Sequence, residues 1–290
     1  MKFLYLFIDF FTILVPVVFS FHPKIKFYKT WKEFFAASII VAIPFIIWDA
    51  VFTETGVWNF DSTYLLGIYI FKLPLEEILF FICIPFSCIF TFYCLTKFYE
   101  LRWSEKNEKI FVNILFVLLM AGAIVFGDRL YTSITFITTG FVCVFLKYIF
   151  RVTWFGKAVM VYAILLIPFL IVNGILTGSG LPHPVVNYTS AEIMNIRLFT
   201  IPLEDVFYGF ELFLLNLAFY KWFLKIKRRN CTRIKQSQHS VDASYTIYLL
   251  NIISSILFYQ IYASEGLSSG GKRIIHHQSF HNKLILFFTI

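Results

Sequence analysis

The chain has 290 residues, 59% hydrophobic and only 14% charged, with 38 phenylalanines and a mean hydropathy of +0.77. A soluble domain carries about a quarter charged residues and could not hide so much aromatic surface, so the composition excludes one and specifies a polytopic membrane protein. The net charge of +8 is dispersed between apolar runs and forms no stripe of the kind a nucleic-acid binder presents, so no nucleic-acid partner is expected.

The first apolar run, 3–20, lies in "MKFLYLFIDFFTILVPVVFS", which has no small-residue cleavage site and is read as a retained helix, not a signal peptide. Six more runs follow, at 34–52, 73–95, 110–126, 130–150, 155–175 and 201–223. Each is long enough, or nearly so, for a bilayer core that needs about 20 helical residues. Lysine and arginine alternate between the connections. There are four in 21–32, four in 97–109, three in 147–157 and seven in 221–235, against single residues, Lys72, Arg129 and Arg197, in the other three connections. By the positive-inside rule the N-terminus is outside and segment 221–235 inside. The five cysteines form no CxxC pair and four lie in apolar runs, which suits small buried hydrophobes; no metal site is expected.

The chain also repeats. A shift of 128 places Phe71, Pro74, Leu75 and Glu76 on Phe199, Pro202, Leu203 and Glu204, with Glu77 opposite Asp205. A shift of 124 places Thr53 and Gly56 on Thr177 and Gly180, so the second outer loop has a four-residue insertion; the first helix is expected on the fifth by the same shift. The predicted fold is all-α: seven transmembrane helices as 3+1+3 parallel pseudo-repeats. The segments are a first repeat at 1–100, a linking helix within 101–129, a second repeat at 130–229 and a tail at 230–290. Two units of like orientation need an odd connecting span, and parallel repeats commonly build a shared site at their interface.

The two acidic doublets, "LPLEEILFF" at 73–81 and "IPLEDVFYG" at 201–209, therefore open helices three and seven from the same outer side. Proline followed by acids is what a helix start favours, so capping is one reading. Depth favours another. With helix three centred near Cys83, Glu76 lies ~10 Å from the midplane, inside a hydrocarbon half-thickness of ~15 Å. Intramembrane carboxyls are costly and mark function, and a close pair suits holding and delivering a proton.

"WDAVFTETGVWNF", "YLLGIYIFKLPLEEILFFICIPFSCIFTFY" and "NIRLFTIPLEDVFYG" resemble the membrane-integral lycopene cyclases, whose signature is a PxE[ED] motif at the head of a helix in each half. The likeness runs from about residue 1 to Arg229 and is to the fused form of the paired-subunit enzymes. It implies an intramolecular lyase or isomerase of carotenoid biosynthesis in the cell membrane. Lycopene and γ-carotene would be its substrates and β-carotene its end product, with other carotenoid-pathway enzymes as candidate partners. A proton adds to the terminal double bond, the inner alkene attacks the tertiary cation, and a different proton leaves. No net redox change occurs, so no cofactor is expected.

Glu76, Glu77, Glu204 and Asp205 are the candidate acids and bases. Glu76 and Glu204 are expected to face the pocket, with Glu77 and Asp205 tuning them, because adjacent helical residues point about 100° apart. Phe80, Phe81, Phe207 and Tyr208 could stabilise a cation, against a plain packing role. Arg197 could hold a carboxylate ionised, against an interfacial anchor. Asp49 and Asn173, at matching ends of helices two and six, are candidate supports for the acids, against simple helix caps, and Pro74 and Pro202 are further candidate supports.

The alternative class is a proton-coupled transporter, which the parallel repeats and intramembrane acids also fit. Against it, helices three and seven lack Gly/Pro breaks flanked by polar residues. No GxGxxG follows a strand, the histidines form no repeated clusters, and no lysine lies between Ile201 and Tyr220 for a retinal Schiff base. In the tail, "YTIYLLNIISSILFYQIY" is long enough for an eighth crossing but carries Asn251, Ser254, Ser255 and Gln260; the tail is expected to be dispensable.

Overall fold

The structure, a computed structural model, describes residues 2–233; the tail expectations lie outside them. Seven helices account for most of the described chain: α1 Leu4–Ser20, α2 Trp31–Glu54, α3 Leu75–Phe98, α4 Glu105–Val125, α5 Leu130–Val144, α6 Phe155–Leu176 and α7 Leu203–Arg233. The fold is an all-α polytopic membrane architecture. Segments Phe27–Glu54, Leu75–Phe98, Glu105–Val125, Leu130–Ile149 and Phe155–Leu176 are long and apolar enough to span. α1 is shorter, and α7 is diluted by Glu211 and Asn216, which it buries inside the bundle.

Helix starts follow local chemistry. Ser104 caps α4 by accepting the Asn107 amide at 3.2 Å, so this helix begins before the apolar run expected at 110. Pro74 sits at the N-cap of α3 in extended backbone, one residue before the first-turn position expected for it. α5 continues into a single π-turn at Phe145–Ile149.

Short strands in the α2–α3 and α6–α7 connections, absent from the sequence expectation, organise the helix heads. β1 (Trp58–Phe60) pairs antiparallel with β4 (Val186–Tyr188). β2 (Tyr69–Ile70) and β3 (Leu73–Pro74) form a hairpin ahead of α3, and β5 (Arg197–Leu198) and β6 (Ile201–Pro202) form its counterpart ahead of α7. The first hairpin turns through Phe71 and Lys72, both at positive φ (52° and 66°), the geometry that matches strand twist.

The spacing of equivalent elements drifts. Leu75 and Leu203 open α3 and α7 128 residues apart, and Trp31 and Phe155 open α2 and α6 124 apart. Leu4 and Leu130 open α1 and α5 126 apart, not the 124 expected for the first helix on the fifth. The β1–β4 register sets Asn59 against its own equivalent, Asn187. A pseudo-two-fold axis therefore passes between these asparagines. Packing obeys it: α1 lies on α3 as α5 lies on α7, while α2 packs against α7 and α6 against α3 of the opposite half. α3 and α7 meet at the centre, and α4 packs chiefly on α5.

The interior is aromatic, with Trp48, Phe45, Phe52, Phe81, Phe86 and Phe92 buried. Isoleucine, leucine and phenylalanine side chains line the outside, among them Phe10 and Phe11 on α1, Ile114 and Leu118 on α4, and Ile167 and Ile171 on α6. Such a surface is stable only against hydrocarbon. At the far ends of the central helices, Lys97 donates to the Ile25 carbonyl at 2.9 Å and Lys227 pairs with Glu33 at 2.8 Å, tying both to the basic 21–33 segment.

Candidate active site

Each hairpin is clamped to the helix it precedes. The Leu75 amide donates to the Ile68 carbonyl at 2.9 Å, and the Leu203 amide to the Ile196 carbonyl at 3.0 Å. That clamp turns the first acid of each doublet back beneath its own loop. Glu76 accepts the Leu66 amide, and Glu204 accepts the Met194 amide at 2.7 Å and the Thr132 hydroxyl. Both are fully buried, at 0% exposure.

The second acids point elsewhere. Glu77 and Asp205, 9% and 4% exposed, stand on the wall of one cavity between the repeats. The expected orientation is thus reversed, with Glu77 and Asp205 on the wall and Glu76 and Glu204 behind it. Their partners come from helices one and five: Tyr5 donates to Glu77 Oε2 at 2.6 Å, and Tyr131 to Asp205 Oδ1 at 2.7 Å. A third phenol, Tyr188 of β4, donates to Asp205 Oδ2 at 3.0 Å. Burial and the adjoining Asp205 carboxylate push the Tyr188 hydroxyl well above its ordinary range, so it remains a donor.

The cavity encloses about 1160 Å³ of empty space, including its open side. Its wall is mainly apolar, with Phe80, Leu165, Phe169, Val172, Leu212 and Phe213 among the lining residues, and among the described residues no lysine or arginine lines it. Such a lining suits a long hydrocarbon with a few convergent polar groups at one place.

The other expected residues divide. Phe80 and Tyr208, which occupy equivalent positions, both reach the wall. Phe81 lies behind it against Phe45, centroids 6.1 Å apart. Phe207 turns away onto Phe136 at 5.2 Å, in a separate cluster. Asp49 and Asn173 line the cavity, and Asp49 accepts the Trp58 indole N–H at 2.6 Å. Pro74 and Pro202 are buried strand residues that lead into α3 and α7. Arg197 is exposed on its hairpin and donates to the Thr200 carbonyl; it is not on the wall and makes no hydrogen bond to Asp205, but its charge still acts on that carboxyl, in line with the expected role.

Sequence reasoning did not single out the phenol donors, Trp58, Asp9 or Glu211. Tyr5 and Tyr131 were findable, since each follows the leucine that opens its helix, 126 residues apart. Tyr188 was not, because its equivalent is Phe60 and the repeat signal is lost there. Asp9 and Glu211 are buried one layer below the doublets, and Glu211 accepts Thr138 at 2.7 Å and Thr139 at 3.1 Å. Among the described residues no group of three or more His, Cys, Asp or Glu is arranged to hold a metal ion.

Two carboxyls with phenol partners in a water-poor apolar cavity can give a proton to a hydrocarbon and take one back. Searches of characterised proteins and of solved structures returned no match. A model of the family described as lycopene cyclase matches residues 2–95 and 128–223, which covers both repeats and omits the whole of the linking helix α4. The chain belongs to the lycopene cyclase family.

Proposed function

We propose that this protein is a lycopene β-cyclase, an intramolecular lyase or isomerase that closes the ψ-ends of lycopene to β-ionone rings through γ-carotene to β-carotene. The observation that carries the reading is the placement of Glu77 and Asp205, one from each repeat, on a single apolar cavity wall with Phe80 and Tyr208. One carboxyl protonates the terminal double bond, and the ring carbon–carbon bond forms as the inner alkene attacks the resulting cation. The other carboxyl takes the departing proton. The aromatic faces stabilise positive charge as it moves, and the apolar wall keeps water from trapping the cation. Proton gain and loss cancel, so the reaction needs no flavin or nicotinamide.

The reading places the protein in the cell membrane with the N-terminus and the doublets at the outer side. Residues 1–100 and 130–229 then act as two cyclase repeats joined by 101–129, and the carotenoid is drawn from the bilayer. Expression in a lycopene-accumulating bacterium tests it: pink cells should turn orange-yellow. Purified protein in liposomes should then cyclise lycopene with nothing added. Unchanged pigment with the protein present in the membrane would refute the activity, and an absolute need for reduced flavin would refute the redox-neutral mechanism.

A further inference from the structure

The two repeats supply their buried carboxyls with hydrogen-bond donors very unequally. In the second repeat three carboxyls meet six donor groups: the Met194 amide and Thr132 on Glu204, Tyr131 and Tyr188 on Asp205, and Thr138 and Thr139 on Glu211. In the first repeat four carboxyls meet three: Trp58 on Asp49, the Leu66 amide on Glu76, and Tyr5 on Glu77. Among the described residues both oxygens of buried Asp9, one turn along α1 from Tyr5, lack a partner, as do Asp49 Oδ2 and Glu76 Oε2; in the second repeat only Glu204 Oε2 and Glu211 Oε1 do, and Asp205 has no such oxygen. Donors aimed at a carboxylate favour its charged form, whereas crowded acids with few donors and no cation resist ionising together. Asp205 has both oxygens occupied by phenols; Glu77 has one phenol and two acidic neighbours, Asp9 and Asp49.

We propose that the shared cavity has a fixed polarity: Glu77 is the acid that starts ring closure, Asp205 is the base that ends it, and Tyr188 positions that base and so selects the ring type. The inference rests on the cyclase reading. Glu77 gives its proton to the CH carbon of the terminal double bond, leaving a tertiary cation on the dimethyl carbon. The inner alkene attacks through its own CH end, forming the ring bond and moving the cation to the methyl-bearing carbon. Asp205 then removes the proton from the CH that has just joined the ring, and those electrons form the β-ring double bond. Removal from the adjacent CH2 would give an ε-ring, and from the methyl a γ-ring. A base held at both oxygens reaches one of these three protons in preference to the others. Return of the proton from Asp205 to Glu77 resets the site, with nothing oxidised or reduced.

Asymmetry between the halves supports the role of Tyr188. Its equivalent Phe60 also lines the cavity but can donate nothing to Glu77. An acid that must release its proton gains from fewer donors to its anion at the start of the cycle only if the second half collects the charge, and the second half has the donors to do so.

The test uses full-length protein in liposomes containing lycopene, in deuterated water. With Asp205→Asn, protonation should proceed and reverse, so lycopene recovered without ring closure should carry deuterium at its ends. With Glu77→Gln, recovered lycopene should be unlabelled. Label in the Glu77→Gln sample, or none in the Asp205→Asn sample, overturns the polarity. Tyr188→Phe should cyclise with kcat about tenfold lower, KM unchanged, and ε- or γ-rings among the products; a wild-type ring composition overturns its positioning role. Should Asp205→Asn be missing from the membrane, Asp205→Glu supplies the second arm: a lengthened base should alter ring composition, and an unaltered one counts against the assignment. Wild-type protein that leaves lycopene unchanged would instead refute the cyclase reading itself.

Discussion

Glu77 and Glu76 are adjacent in sequence, yet one lines the cavity and the other supports a loop. The rotation of about 100° between neighbouring helical residues allows both orientations, and the Leu66 and Met194 amides decide between them by capturing Glu76 and Glu204. The consequence is testable by isosteric substitution. Glutamine keeps an acceptor for each loop amide, so Glu76→Gln and Glu204→Gln should retain most ring formation. Glu77→Gln and Asp205→Asn should lose it by at least ~10²-fold, since general acid or base help is worth about that much or more. Pigment analysis normalised to membrane-inserted protein distinguishes the outcomes; equal losses in all four would mean that loop support and proton transfer are not separable. Glu76→Ala, by contrast, strands the half-buried Leu66 amide at a cost of about 1 kcal/mol and should lower yield.

At the scale of elements, the β1–β4 pair joins the two repeats, each hairpin sets the head of its own central helix, and the linking helix packs on the second repeat. α4 is pinned to the second repeat by a buried ion pair between Glu108 and Lys147, the latter on the π-turn that follows α5. Glu108 also accepts the Gly156 amide at 3.1 Å, and a Cβ at Gly156 would strike this carboxylate, so glycine is required there by space. Removing one partner leaves an uncompensated buried charge. Lys147→Met should therefore destabilise the protein by roughly 3–5 kcal/mol, lowering the amount of folded protein in the membrane. The ring composition made by the surviving fraction should stay as in wild type, because neither residue lines the cavity. A changed product ratio would show that α4 shapes the site.

For the whole molecule, the pseudo-two-fold axis at Asn59 and Asn187 has chemical consequences. Equivalent acids from two repeats share one cavity, so under the proposed cyclase activity one ψ-end would react at a time and the carotenoid would turn around between closures. Single-turnover reactions should accordingly show monocyclic γ-carotene before β-carotene; bicyclic product with no free monocyclic species would contradict sequential use of one site. Orientation is separately testable. A reporter fused after Arg229 should be cytoplasmic and one inserted in 176–195 external, following the basic loops. The opposite pattern would put the doublets on the inner side.

The sequence by itself determined the membrane class, the seven helices found among the described residues and the repeat. Each is written in quantities that survive without coordinates: hydropathy over windows of helical length, cation counts per loop, and recurrence at a near-constant spacing. It also put Phe80 and Tyr208 among four candidate cation-stabilising rings, without separating them from Phe81 and Phe207. Only the tertiary structure decided which acid of each doublet faces the cavity, because that depends on loop amides ten residues upstream in each case. Only the fold brought Tyr5, Tyr131 and Tyr188 onto the carboxyls, across 72, 74 and 17 residues of sequence. It also sent Phe207 and Arg197 away from the wall. Periodicity assigns a residue to a face of its own helix, but the neighbour that meets that face is chosen by packing between helices.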